Sequence, residues 1–436
     1  MSEVFSYTVT RDAPWVDPVE VAAGLGGDGA LALLSDGGPG GRWSHVAQAP
    51  DVVRVGPVDD AAPFEALRDP LFAAGVVGLA AYDAGARPAT GPRETVWPDL
   101  MLARYPAMLS FDHQHRSVCA TGRGATAEQA TAAAERALTW LMTAVPVVSP
   151  SAPADRFEAE APASAYRDAV ADVVQRIGAG ELFQANIARA WSGELSRGRD
   201  PFEVFLRLQK ERASPFGAYW RIGDRALVSN SPELFLAFDP ASRRIEARPI
   251  KGTRPRADDP DQDRALASEL RASLKDRAEN LMIVDLMRND LARVSRPGSV
   301  QVETLFEVEQ HPTVHHLVST VTGEAQPTVG PADLLEATFP PGSITGAPKH
   351  QAMKVIAAYE PPRGPWCGSL FLIADDGALT ASVLIRTAGF ERKDGVWNYR
   401  TLAGAGIVAD SDPAAEEAET DVKMSAMRQA LVVPQI

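Results

Sequence analysis

The order of apolar and polar residues predicts a short strand and a helix in the first third of the chain. Residues 31–34 are a short apolar run, which indicates a strand, and residues 125–144 carry the alanine-rich face of a helix. Residues 145–154 are rich in Pro, Ser and Ala, a composition typical of a linker or an exposed connection. We therefore predict an N-terminal region, residues 1–150, and a second region, residues 155–436.

Helix and strand patterns are clearer in the second region. Residues 164–177 predict an amphipathic helix with Ser164 as its N-cap, and residues 180–189 predict a strand. A long helical pattern extends over residues 261–295. Its apolar residues at 281–284, 286 and 287 are more than a surface helix needs, so most of this segment should be buried.

A basic stretch around Lys251 contains the first candidate for chemistry. Residues 231–247 predict a strand, a turn and a second strand, and the register across this hairpin would put Glu233 opposite Lys251. Three arginines close to Lys251 would disfavour protonation of its amine, which makes the amine a candidate nucleophile. A carboxyl group that faces such an amine suits paired acid and nucleophile chemistry. A surface lysine in a basic loop is the alternative.

Acidic side chains on two predicted helices form a second candidate group. Glu279 and Asp285 lie in the long helical pattern, and buried carboxylates need a cation, an arginine or a metal as a partner. Asp412 is a natural N-cap, after which Glu416 and Glu419 share one helix face. Such acids often only complement the helix dipole, and an internal salt bridge is the alternative for Asp285. Together with a buried glutamate, however, two glutamates on one face can hold a magnesium ion.

A turn-rich loop, residues 339–349, leads into a helix for which Pro348 suits the first position. Its backbone N–H groups and hydroxyls would face an anion at the helix N-terminus. The spacing is wrong for a Walker loop, and a proline precedes the lysine.

Composition excludes several classes of partner. The net charge of −14 argues against nucleic acid or an anionic membrane as the main partner. No apolar run approaches the roughly 20 residues that span a bilayer, and the first residues have no secretory pattern. Two cysteines, Cys119 and Cys367, are too few for a disulfide framework or a thiolate zinc site. We therefore expect a cytoplasmic protein.

With these motifs in order, the chain resembles the chorismate-utilising enzymes. The resemblance is strong over residues 160–430 and weak before them, and it rests on the segments GELFQANIAR, SPELF, RPIKGTRPR, DRAENLMIVDLMRNDLARV, HHLVST, FPPGSITGAPK, RGPWCGS, IRTA and GAGIVADSDPAAEEAET. It implies an α+β fold in which two antiparallel β-sheets pack orthogonally and helices flank them. It also implies that the N-terminal region folds onto the catalytic half, so that the boundary at residue 150 would be one of sequence rather than of space.

A few side chains indicate which branch of the family the chain resembles. Water-adding members carry a lysine where this chain has Gln184, and glutamine cannot act as a base. Isochorismate and salicylate synthases are therefore disfavoured. Lys251, and the segment that contains Trp366 and Cys367, are similar to those of aminodeoxychorismate synthases rather than anthranilate synthases.

The resemblance implies roles for the remaining candidates. The implied catalytic residues are Lys251 as the nucleophile, Glu233 as the acid, and His316 near the reacting face. For His316, a core histidine satisfied by the backbone is an equally good interpretation. The implied ligand sets are Ser343, Arg386, Gly404, Ala405, Gly406 and Thr253 for chorismate, and Glu279, Glu416 and Glu419 for Mg²⁺.

The implied reaction is magnesium-dependent amination of chorismate by ammonia to 4-amino-4-deoxychorismate, through a covalent lysine adduct and towards 4-aminobenzoate. Neither cysteine has the setting of a glutaminase nucleophile, so we expect ammonia from a glutamine amidotransferase subunit. The alternatives are an anthranilate synthase component I, a synthase that stops at 2-amino-2-deoxyisochorismate, and a catalytically silent binding subunit.

Overall fold

Two antiparallel β-sheets with helices around them make up the part of the chain that the structure describes, residues 3–432 of a computed structural model. The strands are β1 (Tyr7–Pro14), β2 (Leu31–Leu34), β3 (Trp43–Ala47), β4 (Val52–Gly56), β5 (Val76–Ala80), β6 (Leu100–Arg104), β7 (Ala107–Asp112), β8 (Ser117–Gly124), β9 (Glu158–Ala159), β10 (Gln184–Glu194), β11 (Phe216–Ile222), β12 (Arg225–Ser231), β13 (Leu234–Asp239), β14 (Arg244–Ala247), β15 (Ile250–Pro255), β16 (Gln301–Gln310), β17 (Val314–Glu324), β18 (Gly346–Ala347), β19 (Ser369–Ile373), β20 (Leu379–Val383), β21 (Thr387–Lys393) and β22 (Val396–Ile407). The helices are α1 (Pro18–Leu25), α2 (Tyr82–Thr90), α3 (Ala127–Trp140), α4 (Ala163–Gly178), α5 (Pro201–Arg212), α6 (Pro260–Ala272), α7 (Leu274–Ala292), α8 (Pro331–Thr338), α9 (Lys349–Tyr359) and α10 (Pro413–Leu431). The predicted α+β class with two antiparallel sheets is confirmed.

Strands from both sides of residue 150 combine in each sheet. The first sheet has the order β1-β8-β7-β3-β2-β11-β12-β21-β22-β10-β18, with β9 beside β10. The second has the order β15-β17-β14-β13-β20-β19-β5-β6-β4, with β16 beside β17. In the first sheet β2 pairs with β11, and in the second β5 pairs with β19. The early strands therefore complete sheets whose other strands come much later in the sequence.

The hydrophobic core has a layer between the sheets and a layer outside each of them. The inner layer takes Leu31 and Trp220 from the first sheet and Val77 and Leu370 from the second. Outside the first sheet, residues of α1, α3, α5 and α10 join the core, and outside the second sheet residues of α2, α7, α8 and α9 do so. Within residues 3–432, no helix is long and apolar enough to cross a bilayer.

Two helix predictions differ from the structure for local reasons. Helix α4 has Pro162 rather than Ser164 as its N-cap, because Pro162 is extended and the helix begins directly after it. The pattern over residues 261–295 forms two helices, α6 and α7, rather than one. They separate at Ser273, whose hydroxyl accepts a hydrogen bond from the Asp276 N–H and so caps α7.

Helix α7 is also less buried than its composition predicted. Ile283, Val284 and Met287 pack into the core, but Leu281 is 46% exposed. Asp285 is exposed and pairs with Arg288 at 2.8 Å, as in the salt-bridge alternative. The prediction of burial was wrong because only one face of α7 packs against the second sheet.

Candidate active site

The candidate site lies where β15 of the second sheet approaches β10 and β22 of the first. The ladder between β10 and β22 puts Asn186 opposite Gly406. The Lys251 Nζ atom of β15 lies 3.2 Å from the point where a Cβ atom of Gly406 would stand. A side chain at position 406 would therefore press on Lys251 and would clash with the amide of Gln184. Glycine is needed here because two side chains approach its backbone closely.

Buried polar groups beside these glycines have unused hydrogen-bonding capacity. In the described residues, both amide atoms of Gln184, the Asn186 Oδ1 atom and the Trp366 Nε1 atom have no hydrogen-bond partner. A Cβ atom at Gly404 would stand 2.7 Å from Asn186 Oδ1. An unpaired buried polar group costs about 1–3 kcal/mol, so these groups are expected to gain their partners from a polar ligand.

Glu233 is the buried acid of the site. Its side chain receives hydrogen bonds from the Ser343 hydroxyl and from the backbone N–H of Ile250, and the positive charge of Lys251 acts on it. Burial outweighs these effects and raises the pKa of Glu233 to about 7. Near neutral pH this carboxyl group can therefore both give and take a proton.

Glu233 and Lys251 come together by a different route from the one that the sequence predicted. Strand β13 does form a hairpin with β14, as expected. Lys251, however, lies in β15, which pairs with β17 and not with β13. The two side chains interact because β15 continues the direction of β14 after Arg248 and Pro249, along the same side of β17.

The three arginines that were expected to create a positive field around Lys251 all have acidic partners. All three neighbouring arginines are paired with carboxylates: Arg248 with Glu309, Arg254 with Glu269 and Asp276, and Arg256 with Asp263. The charge of Lys251 acts instead on the carboxyl groups of Glu233, Glu279 and Glu419. Each guanidinium charge is therefore balanced by its own acid, and activation of the amine by these arginines stays a prediction.

Arg386 supplies a positive charge without an acidic partner. It lies between β20 and β21 with a φ of 52°, a conformation that non-glycine residues rarely adopt. In residues 3–432, no carboxylate lies within salt-bridge distance of its guanidinium group, although the charge of Glu233 acts on it. Burial, followed by the charge of Arg212, lowers the pKa of Arg386. A desolvated guanidinium with no internal partner is suited to a carboxylate ligand.

His316 and Thr253 lie side by side on paired strands. The His316 ring is buried, and its Nδ1 atom lies 2.9 Å from the Thr253 hydroxyl oxygen. Burial, followed by the charge of Arg386, holds the pKa of His316 well below its usual value. His316 is therefore a neutral ring near neutral pH, and its partner is a side chain rather than the backbone.

The three predicted metal-binding glutamates lie close to two lysines. The Lys275 Nζ atom is 4.0 Å from Glu279 and 3.4 Å from Glu416, and Lys423 is 2.7 Å from Glu419. Burial, more than the neighbouring carboxylates, raises the pKa of Glu279. Within the described residues, no three side chains of the His, Cys, Asp and Glu types come close enough to hold a metal ion. The carboxylates suit Mg²⁺ by their chemistry, but Lys275 lies between two of them.

Sequence reasoning missed these two lysines, and it also missed the contacts that hold the loop before α9. Lys275 lies four residues before Glu279, and Lys423 four residues after Glu419, so helical spacing could have identified both pairs. Lys423 also donates to the Gly404 carbonyl at 2.8 Å, which connects α10 to the glycine strand.

The loop before α9 is held by Lys349, a partly buried lysine at the start of that helix. Lys349 donates to Asp290 at 2.6 Å and to the carbonyls of Thr338 and Pro340, each at 2.9 Å. No sequence pattern pointed to this contact, because Lys349 and Asp290 lie on different helices.

Comparison with known proteins shows which family the chain belongs to. Residues 42–429 match the sequence profile of a family described as chorismate binding enzyme. This chain belongs to that family. The resemblance that the motifs indicated is thereby confirmed.

Relatives within the chorismate-binding family include two kinds of synthase. Aminodeoxychorismate synthase component 1 of Salmonella typhimurium is 39% identical over 84% of this chain and 79% of the relative. Anthranilate synthase component 1 of Thermus thermophilus is 38% identical over 85% of this chain and 80% of the relative. The solved structure of anthranilate synthase component I from Streptococcus pneumoniae superposes with a TM-score of 0.76, at 26% identity, over 89% of this chain and 92% of that one. The chain is thus an enzyme with the fold that the resemblance implied.

Proposed function

We propose that this enzyme aminates chorismate with ammonia to give 4-amino-4-deoxychorismate. The observation that carries the proposal is the pairing of Glu233, a buried acid with a pKa of about 7, with the amine of Lys251. The names of the Salmonella typhimurium and Escherichia coli relatives point to the same reaction. Amination requires a hydroxyl group to leave the ring, and hydroxide leaves poorly unless an acid protonates it.

The proposed chemistry has two displacements. The Lys251 nitrogen forms a bond to the second ring carbon, the two ring double bonds shift, and the bond between the fourth carbon and its hydroxyl breaks. Glu233 gives that hydroxyl a proton so that water leaves. Ammonia then forms a bond to the fourth carbon, the bond to Lys251 breaks, and Glu233 takes back a proton from the new ammonium group. A covalent adduct thereby divides one difficult substitution into two easier ones.

Chorismate carries two carboxylates, and the site offers two places for them. Arg386, which has no acidic partner among the described residues, is assigned to the enolpyruvyl carboxylate because a guanidinium group matches a carboxylate with two hydrogen bonds. The ring carboxylate is assigned to the backbone of Gly404, Ala405 and Gly406, beside which the buried amide groups of Gln184 and Asn186 have unused hydrogen-bonding capacity. The hydroxyls of Thr253 and Ser343 and the neutral ring of His316 would border the ring.

Magnesium is assigned to Glu279, Glu416 and Glu419. The ion would supply a positive charge that holds the ring carboxylate and withdraws electrons from the ring. The fit is one of donor chemistry: the charges of Glu416 and Glu419 both act on Glu279, and the ammonium groups of Lys275 and Lys423 balance part of the negative charge. Lys275, which lies near both Glu279 and Glu416, would have to move for these two residues to hold the ion.

Ammonia is assigned to a glutamine amidotransferase partner. Cys367 is fully buried and burial raises the pKa of its thiol, which disfavours it as a nucleophile for glutamine, and Cys119 lies within strand β8. The designation of relatives as component 1 fits a second subunit. Free ammonium salts should replace that subunit in vitro. The product then needs loss of pyruvate, in a separate reaction, to give 4-aminobenzoate.

The test is an assay of the purified protein with chorismate, magnesium chloride and ammonium chloride, with products separated by chromatography and identified by mass. We expect 4-amino-4-deoxychorismate from the wild type. Lys251→Ala should reduce the rate by about 10²-fold or more, whereas Lys354→Ala, at an exposed lysine of α9, should not. Anthranilate or 2-amino-2-deoxyisochorismate as the product would contradict the proposal. The absence of any conversion of chorismate would favour a silent binding subunit.

A further inference from the structure

Glu233 and Arg386 lie at two neighbouring corners, the segments at which the chain passes from one sheet to the other. Strand β12 of the first sheet continues into β13 of the second, and Glu233 lies between them. Strand β20 of the second sheet continues into β21 of the first, and Arg386 lies between them. Because β12 pairs with β21 and β13 pairs with β20, the two corners lie side by side.

The backbone at the Arg386 corner is held on one side by β12. Its φ of 52° is in the left-handed region, which an arginine keeps only where its surroundings hold it. The Arg386 carbonyl accepts a hydrogen bond from the Asn230 N–H at 3.0 Å. Asn230 is itself fixed, because its side chain donates to the Arg212 carbonyl at 2.8 Å and accepts from the Ser214 hydroxyl at 2.9 Å.

A pair of hydroxyl groups holds the other side of this corner. Thr387 and Ser229 lie directly opposite one another in the ladder between β12 and β21, and both are fully buried. The Thr387 hydroxyl donates to the Ile385 carbonyl at 2.9 Å, a bond that reaches back across Arg386, and its oxygen lies 2.7 Å from Ser229 Oγ. A hydroxyl has one hydrogen, and Thr387 gives its own to Ile385, so Ser229 donates the second bond. The pair therefore closes the turn around Arg386.

The guanidinium group that this turn carries lies among the candidate site residues. Its charge acts on the His316 ring, and the charge of Glu233 acts on it. Within residues 3–432, however, no hydrogen bond or salt bridge holds the guanidinium group itself. The rotamers open to a side chain depend on its backbone angles, so the direction of this side chain depends on the turn that the hydroxyl pair closes.

We propose that Thr387 and Ser229 are positioning residues for substrate binding, because they hold the turn from which Arg386 meets the enolpyruvyl carboxylate. Both hydroxyls donate within the protein, so they act on the substrate through Arg386. The inference rests on the proposed function, in which Arg386 binds that carboxylate. Loss of the pair should weaken the binding of chorismate and leave the chemistry of Glu233 and Lys251 intact.

Two substitutions at one position test the pair. Thr387→Val keeps the shape of the side chain and removes its hydroxyl, whereas Thr387→Ser keeps the hydroxyl. With magnesium chloride and saturating ammonium chloride, Thr387→Val should raise the KM for chorismate about tenfold and change kcat by less than about twofold. Thr387→Ser should recover most of this loss. Equal values of KM in the two variants would overturn the proposal.

A double-mutant cycle with Arg386→Ala separates positioning from a general effect on the structure. Arg386→Ala alone should raise the KM for chorismate about 10²-fold, the cost of removing one partner of a buried charge pair. Adding Thr387→Val should change this KM by less than about twofold, because no guanidinium group is left to position. A tenfold effect of Thr387→Val in both backgrounds would contradict the proposal.

Ser229→Ala tests the same pair with a smaller disturbance, should Thr387→Val be poorly folded. It should raise the KM for chorismate about threefold, since Thr387 keeps its own bond to Ile385. The control is Ser369→Ala, at a fully buried serine of β19 whose hydroxyl donates to the Ser382 carbonyl at 2.9 Å. Urea unfolding establishes that each variant is folded under the conditions of the assay. The same KM in the two serine variants would also overturn the proposal.

Failure of the proposed function gives a different result. A wild type that converts chorismate to anthranilate, with the differences in KM as expected, would contradict the proposed amination and support the positioning pair. An Arg386→Ala variant with the wild-type KM for chorismate would contradict both, because Arg386 would then not bind the carboxylate.

Discussion

At the scale of single residues, Glu233 should make the activity depend on pH. Burial raises the pKa of Glu233 to about 7, and the proposed role requires its protonated form. At a fixed concentration of free ammonia, kcat/KM for chorismate should therefore fall as the pH rises through about 7. Glu233→Gln should lower kcat by about 10²–10⁴-fold and remove this limb of the profile. A profile that is flat between pH 6 and 8 in the wild type would argue against Glu233 as the acid.

A second residue-scale prediction concerns Lys275. Its ammonium group lies between Glu279 and Glu416, where it competes with the proposed magnesium ion. The Lys275→Met variant should therefore bind magnesium about two- to fivefold more tightly than the wild type. This factor corresponds to the free energy expected for a half-exposed ion pair. Isothermal titration with magnesium chloride in the absence of chorismate measures this directly, with Lys354→Met as the control. Weaker binding by the variant would mean that these glutamates do not hold the ion.

At the scale of elements, the loop before α9 depends on one buried ion pair. The side chains of Lys349 and Asp290 are 16% and 11% exposed, and their contact ties this loop to the end of α7. Lys349→Met should lower the free energy of unfolding by about 3–5 kcal/mol, because it leaves Asp290 buried without a partner. Urea unfolding measures the loss. Adding Asp290→Leu should recover most of it, and no recovery would show that the loop, rather than the pair, was damaged.

Elements also show where sequence reasoning succeeds and where it stops. Strand β2 and helix α3 could be predicted from the sequence. The apolar run of β2 and the alanine-rich face of α3 are patterns typical of a strand and of a helix. The break between α6 and α7 could not be predicted, since one hydroxyl at Ser273 decides it. Glu233 and Lys251 were predicted as a pair from local chemistry, but their approach depends on β17, which lies some sixty residues further along.

At the scale of the whole molecule, Arg363 connects parts of the chain that are distant in sequence. It is fully buried, pairs with Glu360 at 2.8 Å, and donates to the carbonyls of Asn186 and Ile344. Its guanidinium also lies 4.5 Å from the ring centroid of Tyr82 on α2. No sequence pattern reveals such a centre, because its partners meet only after both sheets have formed.

Removal of Arg363 should therefore affect more than its own position. Arg363→Met leaves the Glu360 carboxylate buried and two carbonyls without donors, which should cost about 3–5 kcal/mol. We expect a lower midpoint in urea and a loss of activity that follows the loss of folded protein. As the control, Arg400→Met, at a half-buried arginine that also pairs with an acid, should cost about 1 kcal/mol or less. Equal losses of unfolding free energy in the two variants would contradict the central structural role of Arg363.

The pairing of early with late strands has a consequence for synthesis on the ribosome. Strand β2 is complete at Leu34, but its partner β11 starts only at Phe216. At the usual rates of translation, β2 waits on the order of ten seconds or more with one edge unpaired. Strand β5, whose partner β19 starts at Ser369, waits longer still. The nascent chain therefore exposes unpaired strand edges for most of its synthesis, which makes it a natural client for chaperones that bind growing chains.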